Sequence, residues 1–463
     1  MFEYASMRYL LLTSLVLLGF TAQAQYNFQS CLLDSAVYAQ VPLAAPLMRG
    51  DYHNLPQAFS LKKYAPKPQN QGDLGNCVGW TSAYMARTIL WAQHHNYTNT
   101  DYITAQAFSP FFVYEYIKAY DDRHCKTGAT LFAALEALRE LGTVKMQDFA
   151  QSCNQVLSSA LKQKAREFRI ESYKRLFVSG TKDKIPFVKK SIAEGKPVMI
   201  GVKCCVESFL NAADSVWIPT AQDDFQSLNP QGGHAVTVVG YDDKNYGGAF
   251  EIMNSWGTDW GNKGFLWVRY QDFNDFCFEA YEMAIPQDMS EQLAGEVSLR
   301  LSAGSEMQAV LKSGVYEVKQ AYRSGTLFRI YLANYQPAYI YIFASDLNKQ
   351  HTPLFPYESG ISPFLGYQMS NLALPSEEHY IEMDEVKGLD YYCILYSQEK
   401  LHLPSLLETM SVLEGNFQER LYKVLGSKLI PLAQQKLSEQ KIGFIAPTNQ
   451  GSVMPLIIAI PHH

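Results

Sequence analysis

The sequence lacks a strong excess of charge of either sign. Its 463 residues include 39 Lys and Arg and 45 Asp and Glu, so the formal net charge is −6 and the isoelectric point is about 6.0. Proteins that bind nucleic acid usually present a basic patch to the phosphates, and charged interaction tails are runs of like charge. The sequence has neither feature, so we expect no nucleic-acid partner.

The sequence also lacks an apolar run of the ~20 residues that a membrane-spanning helix needs. The N-terminal run 10–20 is shorter, follows Arg8 and precedes Ala22-Gln23-Ala24. This order is typical of a secretory signal peptide (residues 1–24) cleaved after Ala24, and the shortness of the run disfavours a membrane anchor. We therefore expect a secreted or periplasmic protein with no transmembrane segment in the mature chain.

Internal repeats, low-complexity tracts and spaced pairs of metal ligands are absent as well. The dipeptide His124-Cys125 has no second pair at the spacing that zinc sites use, so we expect no metal. We also expect no organic cofactor. A chain of this length has room for two or three domains.

Three short segments nevertheless contain the residue types of a thiol acyl-transfer site. They are Q-G-D-L-G-N-C at 71–77, G-G-H-A-V-T-V-V-G-Y at 232–241 and N-S-W-G-T-D-W-G at 254–261. Cys77 ends a loop and begins a proline-free run to residue 93, which predicts a helix N-terminus that favours a thiolate. His234 begins a valine-rich strand, and Asn254 follows a short apolar one. These residues fit a nucleophile, a base and a group that orients the base.

Together the segments resemble the papain-like cysteine peptidases, in a bacterial branch of that family. The resemblance implies that Gln71, six positions before Cys77, donates its side-chain amide to the oxyanion beside the Cys77 N–H. It also implies that Trp256 shields the hydrogen bond between His234 and Asn254 from water.

The same resemblance implies substrate-binding roles for Gly75, Gly128 and Gly233. Two positions depart from the family pattern. Leu74 stands where a cysteine usually anchors a disulfide, and Val78 stands where an aromatic residue usually follows the nucleophile.

A disulfide between Cys125 and Cys153 is also implied by the resemblance, because the two cysteines flank the predicted helix 131–141 as a family disulfide would. The sequence has eight cysteines. Seven remain when Cys77 is the nucleophile, so at least one other is free or paired between chains. The vicinal pair Cys204-Cys205 has no assigned state.

The resemblance covers residues 55–285. Residues 25–54 form a short N-terminal lead, which lacks the charged, periodic helical pattern of the family's usual pro-segments. Either activation differs from that of the family, or the lead itself blocks the cleft.

Residues 290–463 have a different character. Strand-like runs occur at 327–343, 380–383, 391–396 and 454–460, and helical patterns follow a Ser405-x-x-Glu408 capping box and cover 416–425. This part resembles a small bacterial β-domain of unknown function that is found attached to peptidases. We expect partner or surface binding through 290–463.

We therefore predict an α+β protein: a papain-like two-lobed domain, with a helical lobe and a β-barrel-like lobe, followed by a β-rich accessory domain with a C-terminal helix. The predicted function is a secreted cysteine peptidase that hydrolyses peptide bonds in peptide or protein substrates through a Cys-His-Asn triad and a Gln oxyanion hole. Two alternatives stay open: a catalytically silent binding protein on this scaffold, and a transpeptidase or amide-transfer enzyme. The latter normally has an aspartate as third member, which Asn254 disfavours.

Overall fold

The computed structural model describes residues 30–150, 153–203, 207–221, 232–286, 289–346, 349–358 and 360–463. The predicted signal peptide and the Cys204-Cys205 pair lie outside the described residues. Within these ranges, no helix has both the length and the hydropathy needed to cross a membrane.

The helices fall into two groups along the chain. Before residue 290 they are α1 Ser35–Gln40, α2 Arg49–His53, α3 Cys77–Gly79, a π-helical stretch Trp80–Arg87, α4 Thr88–His94, α5 Thr100–Ala105, α6 Pro110–Ile117, α7 Leu131–Glu140, α8 Ser159–Ala165, α9 Ile185–Ala193, α10 Glu207–Leu210 and α11 Tyr270–Phe276. After residue 290 they are α12 Leu403–Val412 and α13 Phe417–Leu425.

The strands before residue 286 form one sheet. They are β1 Cys31–Leu32, β2 Ala58–Ser60, β3 Ser172–Arg175, β4 Val198–Val202, β5 Val216–Trp217, β6 Gly232–Asp242, β7 Ala249–Met253, β8 Phe265–Arg269 and β9 Cys277–Ala284. The strand order is β3-β9-β4-β6-β7-β8-β5, and β1 and β2 also pair with β6. The long strand β6 therefore lies at the centre, with His234 near its start.

The helix that begins at Cys77 confirms the helix predicted over 78–93. It continues from α3 through the π-helical stretch into α4, and every residue of the stretch is buried. Gly79 allows it to approach α6, since a Cβ at this position would lie 2.3 Å from the carbonyl oxygen of Pro110. The helix is therefore fixed between α6 and the central sheet, and its N-terminus is held in place.

The strands after residue 290 form two further sheets. They are β10 Gln292–Leu301, β11 Ala309–Lys312, β12 Val315–Val318, β13 Leu327–Asn334, β14 Ala338–Ser345, β15 His351–Phe355, β16 Phe364–Leu365, β17 Ser370–Leu374, β18 Ile381–Glu382, β19 Gly388–Ser397, β20 Lys436–Leu437, β21 Ile442–Pro447 and β22 Val453–His462. One sheet has the order β17-β13-β10-β21-β20 with β18 beside β13, and the other has the order β11-β12-β22-β19-β14-β15 with β16 beside β14. The C-terminal region is thus β-rich, as predicted.

Strand β14 shows why this region reads as nearly continuous apolar sequence. Ile340 and Ile342 face the core between the two sheets, whereas Tyr341 and Phe343 face a second core that α12 and α13 cover. Both faces of the strand are therefore buried. The strands predicted within 327–343 are confirmed, but β13 and β14 belong to different sheets and do not pair with each other.

The predicted capping box at Ser405 and Glu408 is wrong. Helix α12 begins at Leu403, and the side chain of His402 caps it by accepting the Ser405 N–H. A capping box is present at the next helix, where Asn416 and Glu419 cap each other's backbone N–H groups. The sequence therefore carries the box signature one helix later than predicted.

Candidate active site

Cys77 is the first residue of α3 and is fully buried. Its N–H is among those that the helix leaves without an intrahelical partner, so the sulfur lies at the positive end of the helix dipole. The backbone N–H groups of Val78 and Ala235 form hydrogen bonds with the thiol that favour its anion. Because Ala235 follows His234 on β6, the thiol lies beside the strand that carries the histidine.

His234 and Asn254 form a hydrogen bond of 2.7 Å between Nε2 and Oδ1. The N–H of Ser255 donates to the same oxygen at 2.7 Å, which identifies this atom as the amide oxygen. Nε2 must then carry the proton, and in the neutral imidazole Nδ1 is an acceptor. Nδ1 is buried and has no hydrogen-bond partner among the described residues.

Trp256 covers one face of the His234 ring. The two ring centroids are 4.6 Å apart and the planes are inclined by 28°. The indole is itself buried, and Trp260 meets it edge-on at 5.4 Å. The sequence predicted Trp256 as a shield, and its position over the ring fits that prediction.

Gln71 is buried next to this pair and is held by two side-chain hydrogen bonds. Its Nε2 donates to the carbonyl oxygen of Leu74 at 2.8 Å, and its Oε1 accepts from the Ser255 hydroxyl at 2.5 Å. Ser255 thus contacts both Gln71 and Asn254. No role for Ser255 is predicted from the sequence, although its place inside the N-S-W-G segment is a usable signal.

The N-terminal lead lies over the nucleophile. The hydroxyl of Ser30 is 3.1 Å from the sulfur of Cys77. The Ala129 N–H donates to the Ser30 carbonyl, and the Leu32 N–H donates to the Ala129 carbonyl, both at 3.0 Å. On the other side, Cys31 pairs with Gly233 of β6. The lead thus contacts the sulfur of Cys77 and pairs with residues on both sides of it.

The three predicted glycines have different surroundings. A Cβ at Gly128 would lie 2.3 Å from the Ser30 carbonyl oxygen, so this glycine makes room for the lead. Its own N–H donates to the Tyr114 hydroxyl, and the neighbouring Ala129 supplies the backbone pairing. Gly233 touches the lead directly. A Cβ at Gly75 would instead meet the backbone of residues 126–128 at about 2.8 Å, so Gly75 packs against that loop.

Burial holds the two reactive groups in their neutral forms. It raises the pKa of the Cys77 thiol to about 11, an effect that the hydrogen bonds with Ser30 and with nearby N–H groups only partly offset. It lowers the pKa of His234 to about 4, against the opposing effect of the Asn254 hydrogen bond. At neutral pH the covered site therefore holds a thiol and an imidazole, and an ion pair is disfavoured.

The predicted disulfide between Cys125 and Cys153 is confirmed. Both sulfurs are part of a cluster with Glu115, the group of potential metal ligands found in the described part of the chain. Since the disulfide removes both thiolates, this cluster is not a metal site. Cys31, Cys277 and Cys393 are free and buried.

Comparison with known proteins finds similarity in this part of the chain. Residues 69–287 match the family model described as papain family cysteine protease. Mouse (Mus musculus) cathepsin K is 24% identical over 233 residues, which are 50% of this chain and 64% of the relative. Chicken (Gallus gallus) cathepsin K is 35% identical over 80 residues, which are 17% of this chain and 22% of the relative.

Among solved structures, xylellain, a cysteine protease from Xylella fastidiosa, is 20% identical, with a TM-score of 0.45 and coverage of 57% of this chain and 96% of that one. The chain spans less than two thirds of the length of both cathepsin K relatives. Residues 69–287 are therefore similar to papain family cysteine proteases, which confirms the predicted fold of this part and supports the predicted enzyme class.

Proposed function

We propose that this chain hydrolyses peptide bonds, with Cys77 as the nucleophile. The main support is the 2.7 Å hydrogen bond from His234 to Asn254, in a region that matches the papain family. This bond leaves His234 Nδ1 as an acceptor on the strand whose next N–H contacts the thiol. Proton transfer from a thiol requires a base whose acceptor nitrogen faces the thiol and carries no proton.

The reaction proceeds in two halves. His234 Nδ1 takes the proton of Cys77, and the thiolate attacks the carbonyl carbon of the scissile bond, whose π electrons move onto oxygen. The tetrahedral adduct collapses, the C–N bond breaks, and the imidazolium gives its proton to the leaving amine. In the second half, Nδ1 takes a proton from water, the hydroxide attacks the thioester, and the released sulfur takes the proton back.

The oxyanion is stabilised by the Cys77 N–H and the side-chain amide of Gln71. One of the two Gln71 amide hydrogens is committed to Leu74, and the other is the proposed donor. Ser255 holds the opposite end of the amide, so the donor keeps its orientation without the substrate. A preorganised donor of this kind contributes ~3–4 kcal/mol to transition-state stabilisation.

The proposal includes an organisation of the chain into four parts. Residues 55–285 are the peptidase domain, residues 25–54 the lead and residues 290–463 an accessory domain. Residues 1–24 are a signal peptide, and the mature protein is secreted or periplasmic. Because Ser30 lies over the sulfur of Cys77, the lead must move before a substrate can reach it.

The test compares C77A with C393A on a library of fluorogenic peptides, because both substitutions remove a free, buried cysteine. We expect turnover by the wild type and C393A, and none by C77A. Mass spectrometry of the protein after treatment with an epoxide inhibitor should locate the adduct on Cys77. Peptide hydrolysis by C77A would refute the assignment, and a wild type that is alkylated at Cys77 but cleaves no peptide would favour the silent binding protein.

A further inference from the structure

Residues 42–51 of the lead lie between the papain-like domain and the C-terminal region. At Leu43 the lead forms an isolated β-bridge on each side. On one side, the Arg175 N–H donates to the Pro42 carbonyl at 2.9 Å, and the Ala44 N–H donates to the Arg175 carbonyl at 2.8 Å. Arg175 ends β3, so the lead extends the edge of the peptidase sheet.

The other side of the same segment pairs with the C-terminal region. The Leu43 N–H donates to the Gly360 carbonyl at 2.6 Å, and the Ser362 N–H donates to the Leu43 carbonyl at 2.8 Å. Leu43 thus bridges Arg175 and Ile361, each in parallel pairing. The backbone of residues 42–44 is therefore hydrogen-bonded to both parts of the molecule.

The side chains of this segment enter both apolar cores. Ala44 packs against the core of the papain-like domain. Ala45 is buried in the core between the two C-terminal sheets, and Leu47 packs against it. Removing the segment would expose apolar surface in both cores. The burial of that surface therefore stabilises the segment in its present position.

A polar contact follows eight residues after Leu43. The Asp51 carboxylate accepts hydrogen bonds from the Asn371 backbone N–H at 2.7 Å and from the Asn371 side-chain amide at 2.8 Å. The Met48 N–H donates to the Asn371 carbonyl at 2.9 Å. Arg49 forms an ion pair with Glu378, although both side chains are largely exposed. Asn371 of β17 thus makes three hydrogen bonds with the lead, two with Asp51 and one with Met48.

We propose that the C-terminal region holds the lead in its inhibitory position, through a lead clamp formed by residues 42–51 with residues 360–362 and Asn371. The proposal rests on the proposed function, because inhibition has meaning only if Cys77 acts on a substrate. It assigns residues 290–463 a task within the peptidase: they keep Ser30 over the thiol.

The physical reason is effective concentration. Between Leu32, at the nucleophile, and the clamped Leu43 lie ten residues, six of which are ordered in helix α1. A clamp at Leu43 shortens the flexible tether of the lead and so raises the local concentration of residues 30–32 at the cleft. Opening the clamp removes the restraint that the C-terminal region adds to the lead's contacts with the papain-like domain, and the closed state loses population.

The experiment measures how fast Cys77 reacts with iodoacetamide in the full chain. It compares the wild type with D51A, N371A and the double variant. Peptide mapping by mass spectrometry separates Cys77 from the other cysteines. D51A removes two hydrogen bonds to its carboxylate and should raise the alkylation rate about tenfold, whereas N371A removes only the side-chain one and should raise it severalfold. The double variant should add little to D51A, since both residues belong to one contact.

E414A is the matched control, because Glu414 forms an exposed ion pair with Lys349 in the same region and its removal leaves the clamp intact. Its alkylation rate should equal that of the wild type. D51A and N371A proteins that keep the wild-type melting temperature and the wild-type alkylation rate would overturn the clamp. Faster alkylation without any peptide turnover would instead refute the proposed peptidase and leave the clamp standing.

Discussion

The contact between Gly128 and the lead allows a direct test of how the thiol is covered. Gly128 has a φ of +86°, and a Cβ there would lie 2.3 Å from the Ser30 carbonyl oxygen. In G128A the lead must retreat by about 1 Å to reach a normal contact distance. That shift weakens the hydrogen bonds of Ser30 with Ala129 and Cys77, which are 3.0 and 3.1 Å long.

The expected size follows from those two hydrogen bonds. At ~1 kcal/mol each they contribute ~2 kcal/mol to the closed state, which corresponds to an increase of roughly 30-fold in the population of the open state. The alkylation rate of Cys77 should rise by a similar factor. A side chain at positive φ also costs ~1 kcal/mol of backbone strain, but this cost is the same with the lead in or out of the cleft.

G180A provides the matched control for that strain. Gly180 has a φ of +84°, and a Cβ added there would have no other atom within 4 Å. In denaturant titrations G180A should lose only the ~1 kcal/mol of strain, whereas G128A should also lose up to ~2 kcal/mol of lead contacts, and only G128A should be alkylated faster. Equal alkylation rates in the two variants would show that Ser30 does not control access to the thiol.

Two further predictions concern buried polar groups. S255A removes the donor to Gln71 Oε1, so kcat for peptide hydrolysis should fall about tenfold while the Cys77 alkylation rate stays unchanged. The control S370A removes another buried hydroxyl and should alter neither quantity. Slower alkylation in S255A would indicate a purely structural role. Burial raises the pKa of Glu279 from 4.5 to about 7, so the folded state binds this proton more tightly than the unfolded state does. The contribution of this carboxyl to stability is therefore greatest below pH 4.5 and is lost as the pH rises through 7. The free energy of unfolding of the wild type should therefore fall by up to ~3 kcal/mol more between pH 5 and pH 8 than that of E279Q. The same pH dependence for both proteins in denaturant titrations would contradict the raised pKa of Glu279.

The sequence allowed the positions of the chemical groups to be predicted, because each lies in a short segment whose own pattern sets its surroundings. Cys77 begins a proline-free helix, and His234 begins a strand that the valines after it keep buried. Asn254 follows β7 directly. The loop-to-helix and strand-end positions of these residues are local properties, and local patterns are what a single sequence carries.

The contacts across the cleft could not be predicted in this way, because they join segments far apart in the chain. Ala129 pairs with the lead while the N–H of Gly128 is taken up by the Tyr114 hydroxyl. Nothing in the residues around Gly128 reveals that hydroxyl. Strands β13 and β14 have the spacing of a hairpin, yet they lie in different sheets. Both faces of β14 are apolar and buried, and the strand pairs with β19.

The two halves of the candidate site depend on the lead to different degrees. The hydrogen bond between His234 and Asn254, the Trp256 ring over it and the bond between Ser255 and Gln71 all lie within the papain-like domain. The lead contributes the contact with the Cys77 sulfur. Departure of the lead would therefore admit water to the thiol and reduce the burial that raises its pKa, without any rearrangement of the base or the oxyanion donor. Activation on this scheme requires the movement of one strand, and the strength of the lead clamp sets how often that movement occurs.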